Sequence, residues 1–424
     1  MAETLSFEAP RGMRDFYPED MAWRNLVFDA FRAAGEAAGF SPYDSCVVES
    51  YDLLARKAGE EVGEQIYHFF DKSERHIALR PEMTPTLARM VAQRQKELSF
   101  PIKWTTIAQC FRYERMTKGR KREHYQWNVD IVGEDSVLAE AEVLGAACDA
   151  LRRMGLDAAD FRVHVSSRRL LGEVLERSGV PADRHAQVFL ALDKRGKMPD
   201  AEIAAMLRDG GLDDALVAKV FEILSLKDLD AVVSYLGEKA QGSRALAEIS
   251  DLFRLAAAAG FADCLVFDIG VIRGLSYYTG IVFECFDAKG EFRAIFGGGR
   301  YDNLLTAIGG MPMSAVGLGF GDVVVTELLK SRFGDRAKTS RRGIAVGFME
   351  DAQREAALRL AARLRREGTA VDLSLHAMKP KKFFAHAGSS MAAEAVFLGP
   401  DDVERGVARR KNLETREETE IGLG

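Results

Sequence analysis

Cysteine is scarce and scattered in this chain of 424 residues. The five, Cys46, Cys110, Cys148, Cys264 and Cys285, are odd in number and form no C-x-x-C pair. That argues against a disulfide framework and a thiolate zinc site, and points to a reducing compartment, so a cytoplasmic location is expected. No window holds 18 uninterrupted apolar residues; the run 256–272 is broken by Asp263 and Asp268. A membrane span is therefore not expected. The N-terminus opens on acidic and polar residues rather than on a charged-then-apolar signal. A surplus of positive charge is missing as well: 58 Lys and Arg face 64 Asp and Glu, a net charge of −6. Any nucleic acid must then be met through local patches, not through bulk charge. Internal repeats and low-complexity tracts are absent, and the alanine-rich stretches read as helix filler.

What is present is an ordinary globular composition, 47% hydrophobic and 29% charged, on a chain long enough for two or three domains. Residues 21–38 carry Leu26, Val27, Ala30, Phe31 and Ala34 at helical spacing behind Pro18-Glu19-Asp20, an acidic helix start. An extended stretch follows to Val48-Glu49. A strand pair spans 67–79 around the turn Asp71-Lys72-Ser73. A helix carries Thr86, Leu87, Met90 and Val91, and another is expected over 137–152. From 168 to 262 helical periodicity dominates, then strand texture resumes at Leu265-Val266-Phe267. That pattern predicts a helical insertion inside a sheet-based domain. A short helix is expected to end near Leu329, and the charged residues 332–341 read as a linker. The remainder alternates strand and helix: 344–348, 351–366, 370–375 and 395–398. This βαβ rhythm predicts a small sheet with parallel strands. From Arg341 onward 15 Lys and Arg face 13 Asp and Glu, so this part is +2 and the rest −8.

The most telling stretch is FRYERMTKGRKREHYQWNVD, residues 111–130. Seven basic groups (four Arg, two Lys, one His) lie between strand-like ends. Residues 115–122 carry five of these cations and Gly119. A hairpin with a long cationic loop, rooted on Arg112, suits a polyphosphate and a nucleic-acid end together. Guanidinium forks grip phosphate oxygens bidentately, and strands hold them in place.

With Leu79-Arg80-Pro81-Glu82-Met83-Thr84, Arg273-Gly274-Leu275-Ser276-Tyr277-Tyr278-Thr279-Gly280 and Gly297-Gly298-Gly299-Arg300-Tyr301-Asp302, this hairpin resembles the histidyl-tRNA synthetase family of class II aminoacyl-tRNA synthetases. The likeness runs from Arg11-Gly12-Met13-Arg14-Asp15-Phe16 into the C-terminal part. It implies an α+β fold: a class II antiparallel sheet with flanking helices, a helical insertion, and a C-terminal α/β domain like an anticodon-binding domain. The expected boundaries are 1–167 and 263–331 for the catalytic domain, 168–262 for the insertion, 332–341 for the linker and 342–424 for the last domain. The resemblance also implies a homodimer built on the first helix and strand, where Cys46 replaces the usual proline.

It further implies activation of histidine by ATP and transfer to the 3′ end of tRNA(His). Attack of a carboxylate on the α-phosphorus brings two anions together, so cations must hold both. Arg112 and Arg273 are the expected catalytic pair. Glu114 and Arg120 join them in binding ATP, with Mg2+ on the outer phosphates; no metal ligand is assigned in the chain. Glu82, Thr84 and Gln126 are expected around the substrate ammonium. Asp130, where many relatives carry Glu, and Tyr278 are expected to read the two imidazole nitrogens, with Tyr277 as a wall. Gly297, Gly298, Gly299, Arg300 and Tyr301 are expected on the pocket floor.

One stretch departs from the family pattern. The third class II motif ends in Gly-x-Glu-Arg, and its arginine covers the adenine. Here the match is Gly321-Asp322-Val323-Val324, with Val324 in the arginine's place. That departure suits an alternative, a non-catalytic synthetase-like subunit of ATP phosphoribosyltransferase. Arg112, Arg273, the basic loop and the C-terminal domain favour the ligase.

Overall fold

The computed structural model describes residues 7–55, 63–117, 119–195, 198–272, 277–334 and 341–423. The chain divides into two compact units, Met1–Gly334 and Asp335–Gly424.

The strands of the first unit are β1 (Ser41–Pro42), β2 (Val48–Ser50), β3 (His68–Phe70), β4 (His76–Leu79), β5 (Ile102–Phe111), β6 (Glu123–Val132), β7 (Phe161–Ser167), β8 (Leu265–Phe267), β9 (Ile281–Asp287), β10 (Phe296–Arg300) and β11 (Ala315–Gly321). Eight of them form one sheet in the order β1-β5-β6-β11-β10-β9-β7-β8, and β2-β4-β3 form a small one. The central pairs are antiparallel, while the edge pairs β1 with β5 and β7 with β8 run parallel.

Period-two alternation gives the large sheet two unlike faces. On β6, Trp127, Val129 and Ile131 are apolar and buried. Trp127 stacks on Phe31 at 4.8 Å, so this face packs under the helix Pro18–Ala37. That helix starts on Pro18, followed by Glu19 and Asp20, and buries Trp23, Val27, Phe28 and Phe31. The helix Leu138–Arg153 covers the same side. Gln126, Asn128 and Asp130 alternate to the opposite face of β6, which carries the site described below.

Between β7 and β8 the chain runs through helices from Arg168–Arg177 to Arg244–Ala258. Ser167, Asp213, Asp228 and Ser243 each accept the backbone N–H three residues on, which fixes four of the helix starts. One of these helices, Leu229–Leu236, has too short an apolar stripe to stand out in the sequence.

The helix Asp322–Phe333 runs four residues beyond the expected end near Leu329. Arg332 belongs to it, paired with Asp160 at 2.8 Å, and Gly334 with φ +72° stops it. The expected linker is thus shortened at its start; residues 335–340 lie outside the described residues.

The second unit holds β12 (Ile344–Phe348), β13 (Val371–Leu373), β14 (Glu394–Leu398), β15 (Val407–Asn412) and β16 (Glu418–Gly422) in the order β13-β12-β14-β15-β16. The first three are parallel, as the βαβ rhythm predicts. The helix Arg354–Arg366 buries Ala356, Ala357, Leu360 and Leu364 against them. The last two strands form an antiparallel hairpin that the periodicity does not reveal. No helix among the described residues is long and apolar enough to cross a membrane.

Candidate active site

Two glycine-rich strands lie side by side in the centre of the large sheet. Gly297 pairs with Gly319 and Gly299 with Gly317 across β10 and β11. Same-face residues on paired strands are neighbours, so these four, with Gly321, make a band bare of side chains. Three of them are obligatory. A Cβ on Gly299 would lie 2.6 Å from the Ile281 carbonyl. A Cβ on Gly317 would lie 1.9 Å from Asp130 Oδ1, and one on Gly319 would lie 2.6 Å from Gln126 Nε2. The glycines leave a trough flanked by β6 on one side and β9 on the other.

One end of the trough is walled by aromatic hydroxyls. The Tyr301 hydroxyl donates to Asp130 Oδ1 at 2.6 Å. The Tyr277 hydroxyl donates to Glu82 Oε2 at 3.4 Å, and its ring meets Tyr301 edge-on at 5.9 Å and Tyr278 at 4.8 Å. Glu82, Gln126, Asp130, Tyr277, Tyr278 and Tyr301, scattered through the sequence, thus come together. Thr84 begins the helix Thr84–Arg94, two residues from Glu82, half-buried.

Asp130 is 1% exposed, and its Oδ2 has no hydrogen-bond partner among the described residues. Burial pushes its carboxyl up to about 7, opposed by the bond from Tyr301. Tyr43 has a buried hydroxyl that is likewise unsatisfied among the described residues. Burial, then the nearby Asp130 charge, raises the Tyr43 phenol well above its ordinary value. A buried polar group without a partner costs on the order of 1–3 kcal/mol. Two such groups at one pocket end suit a ligand that both donates and accepts. Nothing in the sequence singled out Tyr43, since it sits in a polar stretch beside β1.

At the other end lies the basic hairpin. Arg112 donates from Nε to the Pro81 carbonyl at 2.9 Å, which seats it beside Glu82. Glu114 and Arg120 pair at 2.9 Å across the loop. A cavity of about 170 Å³ opens here, lined by Arg112, Glu114, Arg120, His124 and Gln126, with Gly297, Gly319 and Gly321 as its floor. Arg273 and Lys118 lie outside the described residues.

Four expectations change. Arg300 is not on the pocket floor. It leaves the opposite face of β10, where its guanidinium bonds Glu140 at 2.7 and 2.6 Å and the Glu134 and Ser136 carbonyls at 3.0 Å. Gly298 shares that face, since its Cβ would meet Phe283 and the Gly317 carbonyl, and offers the trough no surface of its own. His124 does not add a positive charge: burial, then Arg112 and Arg14, hold its imidazole down to about 3, so it is neutral. Arg122 is spent on structure, with its guanidinium 3.7 Å over the Tyr113 ring, its Nε donating to the Glu114 carbonyl at 3.5 Å and its backbone N–H to the Gly12 carbonyl at 3.0 Å.

The departure at 321–324 has its own logic. Asp322 opens its helix buried, accepts the Tyr125 N–H at 2.9 Å, and pairs with Arg14 at 3.0 Å. Arg14 also bonds Glu123 at 3.2 Å. Burial works against the Arg14 charge, but these two carboxylates hold its pKa up. Val323 and Val324 then present an aliphatic surface to the cavity.

Comparison with known proteins shows the family and the fold. A family model described as histidyl-tRNA synthetase matches residues 12–321, and one described as an anticodon binding domain matches 342–424. The chain is 42% identical to the chloroplastic/mitochondrial histidine–tRNA ligase of Arabidopsis thaliana, over 99% of this chain and 86% of that one. It is 38% identical to the histidine–tRNA ligase of Opitutus terrae, over 98% and 96%. The fold matches a histidyl-tRNA synthetase crystal structure from Nostoc with TM-score 0.81 at 22% identity, covering 99% and 97%. It also matches a structure described as an ATP phosphoribosyltransferase regulatory subunit/histidyl-tRNA synthetase from Bacillus halodurans, with TM-score 0.77 at 23% identity, covering 94% and 99%. Motif order, trough and comparisons converge: the chain belongs to the histidyl-tRNA synthetase family of class II aminoacyl-tRNA synthetases.

Proposed function

We propose that this chain, acting as a histidine–tRNA ligase, holds histidine with its imidazole at Asp130 and its carboxylate toward Arg112. The unpaired Asp130 Oδ2 carries this reading. An imidazole N–H donates to that oxygen, and the Tyr43 or Tyr278 hydroxyl meets the second nitrogen. Side chains lacking both nitrogens leave buried groups unsatisfied and are rejected. Glu82 offers a carboxylate to the substrate ammonium, with Thr84 and Gln126 beside it.

ATP lies with its phosphates along Arg112 and Arg120. The histidine carboxylate attacks the α-phosphorus, the bond to the β-phosphate oxygen breaks, and pyrophosphate leaves. Arg112, with Arg273 as its partner, neutralises the charge on the α-phosphate. Glu114 leaves Arg120 to receive the nucleotide. Magnesium arrives with the outer phosphates of ATP. A terminal ribose hydroxyl of tRNA(His) then attacks the adenylate carbonyl, and AMP departs. The basic loop and the anticodon-binding-type domain are the surfaces that suit the tRNA.

The acting form is a homodimer. Val47, Val48, Phe69 and Phe70 stand exposed on and beside the small β2-β4-β3 sheet, an apolar surface that suits a second copy. The five cysteines are all unpaired, which suits a reducing cytoplasm. The test is histidine-dependent exchange of pyrophosphate into ATP, followed by charging of tRNA(His). Exchange with histidine alone among the amino acids supports the ligase; no exchange with any of them returns the non-catalytic regulatory reading.

A further inference from the structure

The loop 288–295 joins β9 to β10 and carries a cation the reaction scheme has not used. Asp287, 5% exposed, anchors the loop: its carboxylate accepts the N–H groups of Glu291 at 2.9 Å and Phe292 at 2.8 Å. Ile295 N–H bonds the Cys285 carbonyl at 2.7 Å and closes the loop on β9. Arg293 is therefore presented from a fixed turn. It is exposed, and its side chain makes no ion pair or hydrogen bond with any described residue.

Arg293 lines a cavity of about 300 Å³ with Glu291, Phe292, Thr117, Gly119 and Val324. Gly119 and Val324 also border the phosphate-binding cavity, so the two spaces adjoin. Their linings differ in kind. The phosphate-side cavity holds Arg112 and Arg120, which suit phosphates. The cavity at Arg293 offers an aromatic ring, an aliphatic side chain, a planar cation and a carboxylate. A purine with an exocyclic amine suits that set: apolar surfaces for its faces, a guanidinium to stack on the ring, an acceptor for the amine. A Cβ on Gly119 would sit 3.4 Å from Val324 Cγ2, so the hairpin loop already rests on position 324 and leaves a long side chain little room there.

We infer that Arg293 is the cation that covers the adenine of ATP, reaching it from the β9–β10 loop instead of from position 324. The inference rests on the ligase reading above. It makes the missing arginine at 324 a relocation rather than a loss.

Pyrophosphate exchange by the full chain tests it, with KM for ATP and for histidine measured separately. Arg293→Ala raises KM for ATP by about tenfold, the scale of a partly desolvated cation–ring contact, and leaves KM for histidine unchanged. Arg293→Lys falls between, because it keeps the charge and loses the plane. Arg293→Gln removes the charge with little change of shape and follows Ala. Unaltered KM for ATP in both Ala and Gln variants overturns the inference, as does an equal rise in both KM values. If the unsubstituted chain exchanges with no amino acid, the ligase reading fails instead. Calorimetric titration with ATP then still reads Arg293: equal affinity in the unsubstituted chain and Arg293→Ala overturns it.

Discussion

The two ends of the glycine trough differ in their exposure to water. At the end proposed for histidine the aromatic wall is dry: Asp130 is 1% exposed, Tyr301 2%, Tyr278 7%. At the end proposed for the nucleotide Arg120 keeps a third of its side chain in water, and Lys121 and Arg293 are exposed. A neutral ring close in size to other side chains is distinguished by buried groups that only it satisfies. A polyphosphate carries enough charge to be gripped by arginines in water. Selectivity should therefore sit at the dry end and rate at the wet one.

That contrast can be broken by substitution. The largest effect is expected at Arg112, where the two ends meet. Arg112→Ala should lower kcat for adenylate formation by about 10²–10³-fold, the loss found when one donor to a developing anion is removed. Rapid-quench measurement of adenylate checks it, and an unchanged rate would remove Arg112 from the chemistry. Tyr43→Phe should raise KM for histidine by about tenfold, roughly one lost hydrogen bond to a buried polar partner, and leave KM for ATP alone. A shift in KM for ATP of the same size would show that Tyr43 only supports the fold. Arg120→Ala should do the reverse by a smaller factor, because a half-exposed cation is screened.

The smallest effect is one of pH. Asp130 has a folded pKa of about 7, raised above the ordinary carboxylate value of about 4 in the unfolded chain. The folded state then holds a proton that the unfolded state has released. Stability from this group is full below about pH 4 and is lost as pH rises to about 7. Asp130→Asn should therefore melt later than the unsubstituted protein at pH 8 and with little difference near pH 4, in the absence of histidine. Melting curves at the two pH values decide it; a deficit at pH 8 would contradict the buried, unpaired carboxyl.

Much of this was legible in the sequence because strands alternate. Residues 107–113 and 125–132 betray β5 and β6 by composition, and the structure brings Arg112, Gln126 and Asp130 to one trough. Arg300 shows the limit. Its motif is as distinctive as that of Arg112, but one residue of register puts its side chain on the helix side, against Glu140. The partner that decides this lies 160 positions away. His124 reads as a cation in a basic run, and only burial reveals it as neutral. The β15–β16 hairpin was hidden because β15 carries charge at successive positions, Arg409, Arg410 and Lys411. Cross-strand pairs such as Lys411 with Glu418 at 3.0 Å and a backbone ladder hold it, not an alternating apolar face. Tyr43 and Arg293 were missed for one reason: each matters through a neighbour brought by folding.

Titration calorimetry with histidine, on the full chain and on Asp130→Ala, tests the central claim most directly. The account predicts that the unsubstituted chain binds histidine and that Asp130→Ala loses that binding while its affinity for ATP stays the same. Equal histidine affinity in the two proteins would contradict it, and would leave the unpaired Asp130 oxygen without a role in recognition.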